Sequence, residues 1–259
     1  MHVESIGRGP AIALVHGWAM HGGLFAPLVE RLRDRYTLHL IDLPGHGHAR
    51  DSDLPLDPHA LSPALVDAVP DAVWLGWSLG GQFALRNALD APERVRGLVM
   101  LASSPRFVAD EGWPHGVRAS LFRDFGEALS TDFRGTLDGF LALEALGSAT
   151  AQEELRSLRA HAFERGEPAP HALIRGLELL DTFDARDELA RLRVPSLWIS
   201  GRRDRLVPAG AMPAAAALAP DAASLVIRDA GHAPFLGAAD EVAQAIDAFA
   251  AAAHARATP

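Results

Sequence analysis

The stretch that most restricts the fold of this chain runs from Ala72 to Leu89. It reads AVWLGWSLGGQFALRNAL: an apolar run, a turn of the form G-x-S-x-G at Gly76-Trp77-Ser78-Leu79-Gly80, then helical spacing with small residues on its inner side. So short a pattern arises often by chance. A strand directly before it and a helix directly after it give it meaning. A sharp strand-to-helix turn holds its central residue in a strained backbone conformation, and small residues two before and two after relieve the crowding. The serine oxygen then stands above the sheet at a helix N-terminus, where developing negative charge is favoured. A glycine-rich turn that only packs a helix on a strand would meet the same steric demand. It would not bring the partners found farther along the chain.

Strand-like and helix-like runs alternate on either side of this segment. Ala11 to His16, Thr37 to Asp42, Ala72 to Gly76 and Val95 to Leu101 read as buried strands, with helical spacing at Phe25 to Leu32, Ser62 to Val69 and Leu79 to Leu89. Such alternation predicts parallel crossover units and a doubly wound sheet. From about Arg106 to Leu192 the pattern is helical throughout. Strands resume at Ser196 to Ser200 and Ser224 to Ile227, and Val242 to Ala253 is a last amphipathic helix. A helical insertion in a sheet that resumes reads as a lid over the strand ends. The expected organisation is a core of residues 1–105 and 193–259 with a lid of residues 106–192. The alanine-rich stretches near Ala214 and Ala250 suit helices, and no internal repeat is visible.

The partners of the serine follow in chain order. Beyond the strand at Ser196 comes Gly201-Arg-Arg-Asp204, and beyond the one at Ser224 comes Asp229-Ala-Gly231-His232. Both loops lie past strand ends, where a sheet enzyme presents its catalytic groups. Serine is a poor nucleophile until a base takes its proton. Histidine titrates near neutrality and can return that proton to a leaving group, while a carboxylate fixes its tautomer and stabilises the imidazolium. Ser78, Asp204 and His232 are therefore expected as nucleophile, orienting acid and general base. Asp181, Asp184 and Asp187 compete for the acid role but fall inside or at the edge of the lid, where solvated or capping positions suit them better.

The backbone N–H of Leu79, next after the nucleophile, and that of Trp18, in the loop after an early strand, are the expected oxyanion donors. His16 is read as a structural residue holding that loop. His46 and His48, with Asp51 nearby, loosely resemble a metal-ligand cluster. Asp51 is misplaced for one, a glycine-rich turn shaping the site entrance explains the segment better, and no metal is expected. In the lid, Phe140, Leu141, Ala142, Leu143 and Glu144 carry apolar residues at helical spacing. That suits both lid packing and a wall for an acyl chain above Ser78.

Composition removes several other chemistries. The 259 residues contain no cysteine, and all 24 basic residues are arginine. Thiolate nucleophiles, disulfides, Schiff bases and Walker-type phosphate loops are excluded. A net charge of −9 without a basic stretch gives no footprint for nucleic acid. No apolar run suits a signal peptide or a membrane span, so a cytoplasmic location and no membrane partner are expected. No cofactor is required, and a monomer is expected.

Several segments together resemble the pimeloyl-acyl-carrier-protein methyl ester esterase (BioH) family of biotin synthesis, within the α/β-hydrolase superfamily. They are Leu14-Val-His-Gly-Trp18, Leu38-His-Leu-Ile-Asp-Leu-Pro-Gly45, Trp74-Leu-Gly-Trp-Ser-Leu-Gly-Gly81, Ala102-Ser-Ser-Pro105, Phe140-Leu-Ala-Leu143 and Ala230-Gly-His-Ala-Pro-Phe235. The likeness covers essentially the whole chain. It implies an α/β-hydrolase fold: a mostly parallel, doubly wound sheet with an inserted helical lid. It also implies a substrate, a dicarboxylate chain methyl-esterified at its far end and thioester-linked to acyl carrier protein. Hydrolysis would release methanol. By the same resemblance Trp18, Ser78, Leu79, Phe140 to Glu144 and His232 would line the substrate site.

Some positions depart from what the resemblance leads one to expect. Carrier proteins are acidic, yet from Trp113 to Arg175 seven arginines face nine acidic residues, and Gly135, Gly139 and Gln152 stand where basic side chains could have helped. Arg134, Arg156 and Arg159 remain as candidate docking residues. Ala49 stands where many relatives place serine. The same triad would also serve a short-chain carboxylesterase, a cofactor-free haloperoxidase or a carbon–carbon bond hydrolase. A non-catalytic ligand-binding protein of this fold is a further alternative.

Overall fold

The computed structural model describes residues 1–256, so the last three positions of the 193–259 segment lie outside the described residues. Seven strands form one sheet: β1 (His2–Gly7), β2 (Ala11–Val15), β3 (Thr37–Asp42), β4 (Ala72–Trp77), β5 (Val95–Leu101), β6 (Ser196–Gly201) and β7 (Ala222–Ile227). Their spatial order is β1-β3-β2-β4-β5-β6-β7, with β1 antiparallel to β3 and all other neighbours parallel. The central strands β2 and β4 are buried at every position. That is why they read as continuous apolar runs: a parallel sheet is covered on both faces.

Alternate residues of these strands feed two cores. Ala13, Val15, Ile41, Trp74, Leu98, Met100 and Trp198 point to one side, and Ile12, Leu14, Leu40, Val73, Leu75, Val99 and Ile199 to the other. The first face is covered by α2 (Pro58–Ala68), α3 (Leu79–Asp90) and α8 (Ala211–Ala216), the second by α1 (Ala26–Leu32), α9 (Pro234–Gly237) and α10 (Ala239–Ala255). Each large side chain fully buried in this way contributes about 1.5–3 kcal/mol.

Two elements differ from their sequence signal for identifiable reasons. β1 has no continuous apolar run, because an edge strand paired on one side only is half exposed along its length. The helix read from Ser62 begins four residues earlier, at Pro58. There the Asp57 side chain accepts bonds from the amides of His59 and Ala60, and proline suits the first helical position. Pro63 lies inside this helix.

Between β5 and β6 the chain forms α4 (Leu121–Leu129), α5 (Phe133–Ala145), α6 (Ala151–Ala162) and α7 (Pro170–Thr182), with a short 3-10 helix at Arg186–Arg191. This segment contributes no strand to the sheet among the described residues. It sits over the C-terminal strand ends and is tied to the core at several points: Ala169 N–H bonds the Gly45 carbonyl at 2.7 Å, Ala185 N–H the Pro105 carbonyl at 3.0 Å, and Arg165 pairs with Asp42 and Glu4. No described helix is long and apolar enough to cross a membrane.

Candidate active site

Ser78 sits between β4 and α3 with φ 53° and ψ −123°, a conformation that costs a non-glycine residue about 1–3 kcal/mol. The surrounding glycines make it attainable. A Cβ on Gly76 would lie 2.4 Å from the Gly80 carbonyl oxygen, and one on Gly80 would lie 2.2 Å from that of Val15. Ser103 braces the turn, its hydroxyl donating to the Ser78 carbonyl at 2.7 Å. Ala19 and Ala102, the other non-glycine residues with positive φ among the described residues, follow Trp18 and β5, so backbone strain is concentrated around this serine.

The loops after β6 and β7 bring Asp204 and His232 to it. His232 Nε2 accepts from Ser78 Oγ at 2.8 Å, and His232 Nδ1 donates to Asp204 Oδ2 at 2.8 Å. The other Asp204 oxygen accepts from the amides of Leu206 and Val207 at 2.8 and 2.9 Å, which fixes the carboxylate plane. The histidine backbone is held as well: its N–H bonds the Glu144 carbonyl, and its carbonyl accepts from the Trp77 indole at 2.8 Å. Burial acts to lower the His232 pKa, but the Asp204 charge and hydrogen bond outweigh it and the pKa is raised. Asp181, Asp184 and Asp187 stay apart, Asp181 pairing with Arg123 and Asp184 with Arg186.

Trp18 and Leu79 are fully buried beside Ser78, and neither backbone N–H makes a hydrogen bond among the described residues. Two free buried amides next to a serine can receive a developing oxyanion. His16 supports the Trp18 loop: Nδ1–H donates to the Gly17 carbonyl at 2.7 Å and Nε2 accepts from Leu43 N–H at 3.0 Å. Burial pushes its pKa down to about 3, so it stays neutral and both nitrogens are committed to backbone. The His46 ring donates to the Pro44 carbonyl, and Asp51 pairs with Arg50 at the surface.

The predicted lid wall divides by helical geometry. Phe140 and Glu144, one turn apart, share a face of α5 and are fully buried. The Phe140 ring lies 4.4 Å from that of Trp18. Leu141 instead packs with Ala145, Leu158 and Ala162, toward α6, while Ala142 and Leu143 are half-buried. Neither Glu144 carboxyl oxygen has a hydrogen-bond partner among the described residues. Burial raises its pKa to about 8, His232 opposing the shift and Asp204 adding to it, so the side chain is neutral at pH 7. The docking candidates are exposed: Arg134 pairs with Glu167 and Arg159 with Asp138, and Arg156 has no ion pair among the described residues.

Helix α7 enters the site although no motif in the sequence points to it. The Trp18 indole donates to the Leu173 carbonyl at 2.8 Å, and a Cβ on Gly176 would lie 2.6 Å from Trp18 Cδ1 and 3.2 Å from a Leu79 methyl. The local signal is Gly176 itself, a glycine inside a helical pattern, which marks a close approach.

Residues 10–239 match the family model described as alpha/beta hydrolase fold. The chain is 57% identical over 252 residues to the pimeloyl-[acyl-carrier protein] methyl ester esterase of Stenotrophomonas maltophilia (strain K279a), covering 97% of each. It is 58% identical over 251 residues to the protein of the same name from Xanthomonas oryzae pv. oryzae (strain MAFF 311018), covering 97% of this chain and 99% of that one. An esterase structure from Exiguobacterium antarcticum superposes with a TM-score of 0.84 at 22% identity, covering 96% of this chain and 94% of that one, a likeness of fold alone.

Proposed function

The chain belongs to the α/β-hydrolase fold family and, within it, to the pimeloyl-[acyl-carrier protein] methyl ester esterases, and on that footing we propose that it hydrolyses the methyl ester of pimeloyl-acyl-carrier protein in biotin synthesis. The carrying observation is the buried relay of two 2.8 Å bonds from Ser78 through His232 to Asp204, in a chain more than half identical to enzymes of that name.

Catalysis proceeds in two acyl transfers. Ser78 Oγ attacks the methyl ester carbonyl, and its proton passes to His232 Nε2 as the Oγ–C bond forms. The carbonyl oxygen becomes an oxyanion between the amides of Trp18 and Leu79. Collapse breaks the bond to the methoxy oxygen, which takes the proton from His232 and leaves as methanol. Water then attacks the acyl-enzyme, His232 accepts its proton and returns it to Ser78, and the product is a carboxylate. Asp204 holds the imidazolium throughout. Glu144 is neutral at pH 7 and adds no second negative charge beside the His232–Asp204 pair. Because His232 must be unprotonated to act as base and its pKa is raised, activity falls on the acid side through a point above 6.5.

The test is hydrolysis of pimeloyl-carrier-protein methyl ester beside a short p-nitrophenyl ester, with Ser78→Ala as control. Activity on both, lost in the variant, with the much higher kcat/KM on the carrier-bound ester, is the expected result. Activity on the short ester alone would make this a general esterase.

A further inference from the structure

Most arginines of this chain are neutralised by a carboxylate, including Arg118, Arg123, Arg134, Arg159, Arg165 and Arg175 of the lid. Three of the few with no ion pair among the described residues, Arg202, Arg205 and Arg228, meet at one place. With Arg203, Asp204 and Asp229 they line a surface cavity of about 470 Å³ on the loops after β6 and β7. All four arginines are exposed. Arg203 pairs with Asp229 at 2.7 Å, while Asp204 is 6% exposed and turned inward to His232. The rim thus carries an excess of positive charge on a chain whose net charge is −9.

The backbone beneath the rim is held by hydrogen bonds, and it adjoins both the relay and the lid. Arg202 N–H bonds the Ile227 carbonyl at 2.9 Å and Arg203 N–H that of Ala230 at 3.0 Å, while Ala149 of the lid bonds the Asp229 carbonyl at 3.0 Å. Gly147, at φ +93° in the turn between α5 and α6, presses so closely on Arg203 that a Cβ there would lie 2.6 Å from its carbonyl oxygen. By contrast Arg8 and Arg33, also unpaired, share a cavity with Asp34 at the opposite end of the sheet, away from Ser78.

We propose that the Arg202–Arg205–Arg228 rim is the docking surface for the acidic carrier protein, in place of the lid arginines to which the sequence pointed. The proposal rests on the carrier-bound ester being the substrate. On a protein of net charge −9, a local cluster of unpaired positive charge at the end of the sheet that carries Ser78 orients the encounter with an acidic partner. Guanidinium forks suit carboxylates on such a partner. Arg134 and Arg159 of the lid, paired with Glu167 and Asp138, present little net field, and Arg156 is a single unpaired charge, whereas the rim brings three unpaired arginines together. Docking beside the Asp204 loop places the partner at the end of the sheet that carries Ser78.

The experiment compares kcat and KM on the carrier-bound methyl ester and on a short p-nitrophenyl ester, at low and high salt. The proteins are wild type, Arg202→Glu/Arg228→Glu, Arg202→Lys/Arg228→Lys, and Arg134→Glu/Arg156→Glu/Arg159→Glu. The glutamate pair at the rim raises KM for the carrier-bound ester about tenfold, flattens its salt dependence and leaves the short ester unchanged, because rim charges act on encounter rather than on chemistry. The lysine pair keeps the salt dependence. An unchanged KM in the rim glutamate variant, with the loss appearing in the lid variant instead, overturns the proposal, as does an equal loss on both esters. A wild-type enzyme that works on the short ester and fails on the carrier-bound one overturns the functional reading, and the docking proposal with it.

Discussion

The sheet and the lid contribute to one site by opposite means. On the sheet side each polar group of the relay has a partner: Ser78 has His232, His232 has Asp204, and Asp204 has two backbone amides. The residues stand on strand ends and tight loops, where backbone bonds fix them. The lid side offers Phe140 against Trp18, a glycine of α7 against the same ring, and Glu144 with no partner for either oxygen. Its surface is laced with exposed ion pairs such as Arg134–Glu167 and Arg159–Asp138. The sheet side is held by hydrogen bonds, and the lid side packs by shape. Chemistry of this kind tolerates little displacement, while surface pairs contribute little to stability.

The largest effect that separates the two regions is Ser78→Ala. It is expected to lower kcat/KM by about four orders of magnitude or more on any ester, with Tm little changed, since alanine keeps the backbone at φ 53° and removes only the hydrogen bond to His232. Residual turnover within tenfold of wild type would place the nucleophile elsewhere.

Glu144→Gln comes next, and it acts on stability. The carboxyl of Glu144 has a folded pKa of about 8 against an ordinary value of 4.5, because burial penalises the charge. A raised folded value means that the stability is complete below 4.5 and is lost as pH rises toward and through about 8. Within that window each step of one in pH weakens the fold by about 1.4 kcal/mol. Glutamine removes the titration. The Tm advantage of the variant should therefore grow across that window and level off above it. A Tm difference independent of pH would show that Glu144 is not buried as a neutral acid.

Gly176→Ala probes the joint between the regions. Its Cβ would meet Trp18 at 2.6 Å, so α7 or the Trp18 loop must shift. A fall of about tenfold in kcat is expected as the oxyanion donor moves, with KM for a short ester little changed. Wild-type kcat would mean that the lid moves and the loop does not. The smallest effect is Arg159→Ala, which breaks an exposed pair with Asp138. No resolvable change in Tm is expected, and a clear loss would show that lid ion pairs do more than solvate its surface.

Legibility from sequence follows the same division. Buried central strands advertise themselves as apolar runs, and a serine, an aspartate and a histidine in loops after strands are readable because chain order matches the required geometry. Edge strand β1 is not readable in that way, since half of it faces water. In the lid, periodicity identifies α5 but cannot tell that Phe140 and Glu144 turn to the site while Leu141 packs toward α6. Phase around a helix depends on what it packs against. The contact of Gly176 with Trp18 and the unpaired charge at Arg202, Arg205 and Arg228 join residues distant in sequence, and local patterns do not carry such information.

The most direct measurement is the mass of the protein after acid quench during turnover of pimeloyl-carrier-protein methyl ester. Attack by Ser78 on the methyl ester end leaves the carrier attached through its acyl chain. The expected species is one covalent conjugate of enzyme and carrier, lighter than their sum by methanol and absent from Ser78→Ala. An enzyme bearing only the methyl-esterified acyl group, with free carrier released, would show attack on the thioester and contradict the assignment. A conjugate persisting in Ser78→Ala would contradict the role given to that serine.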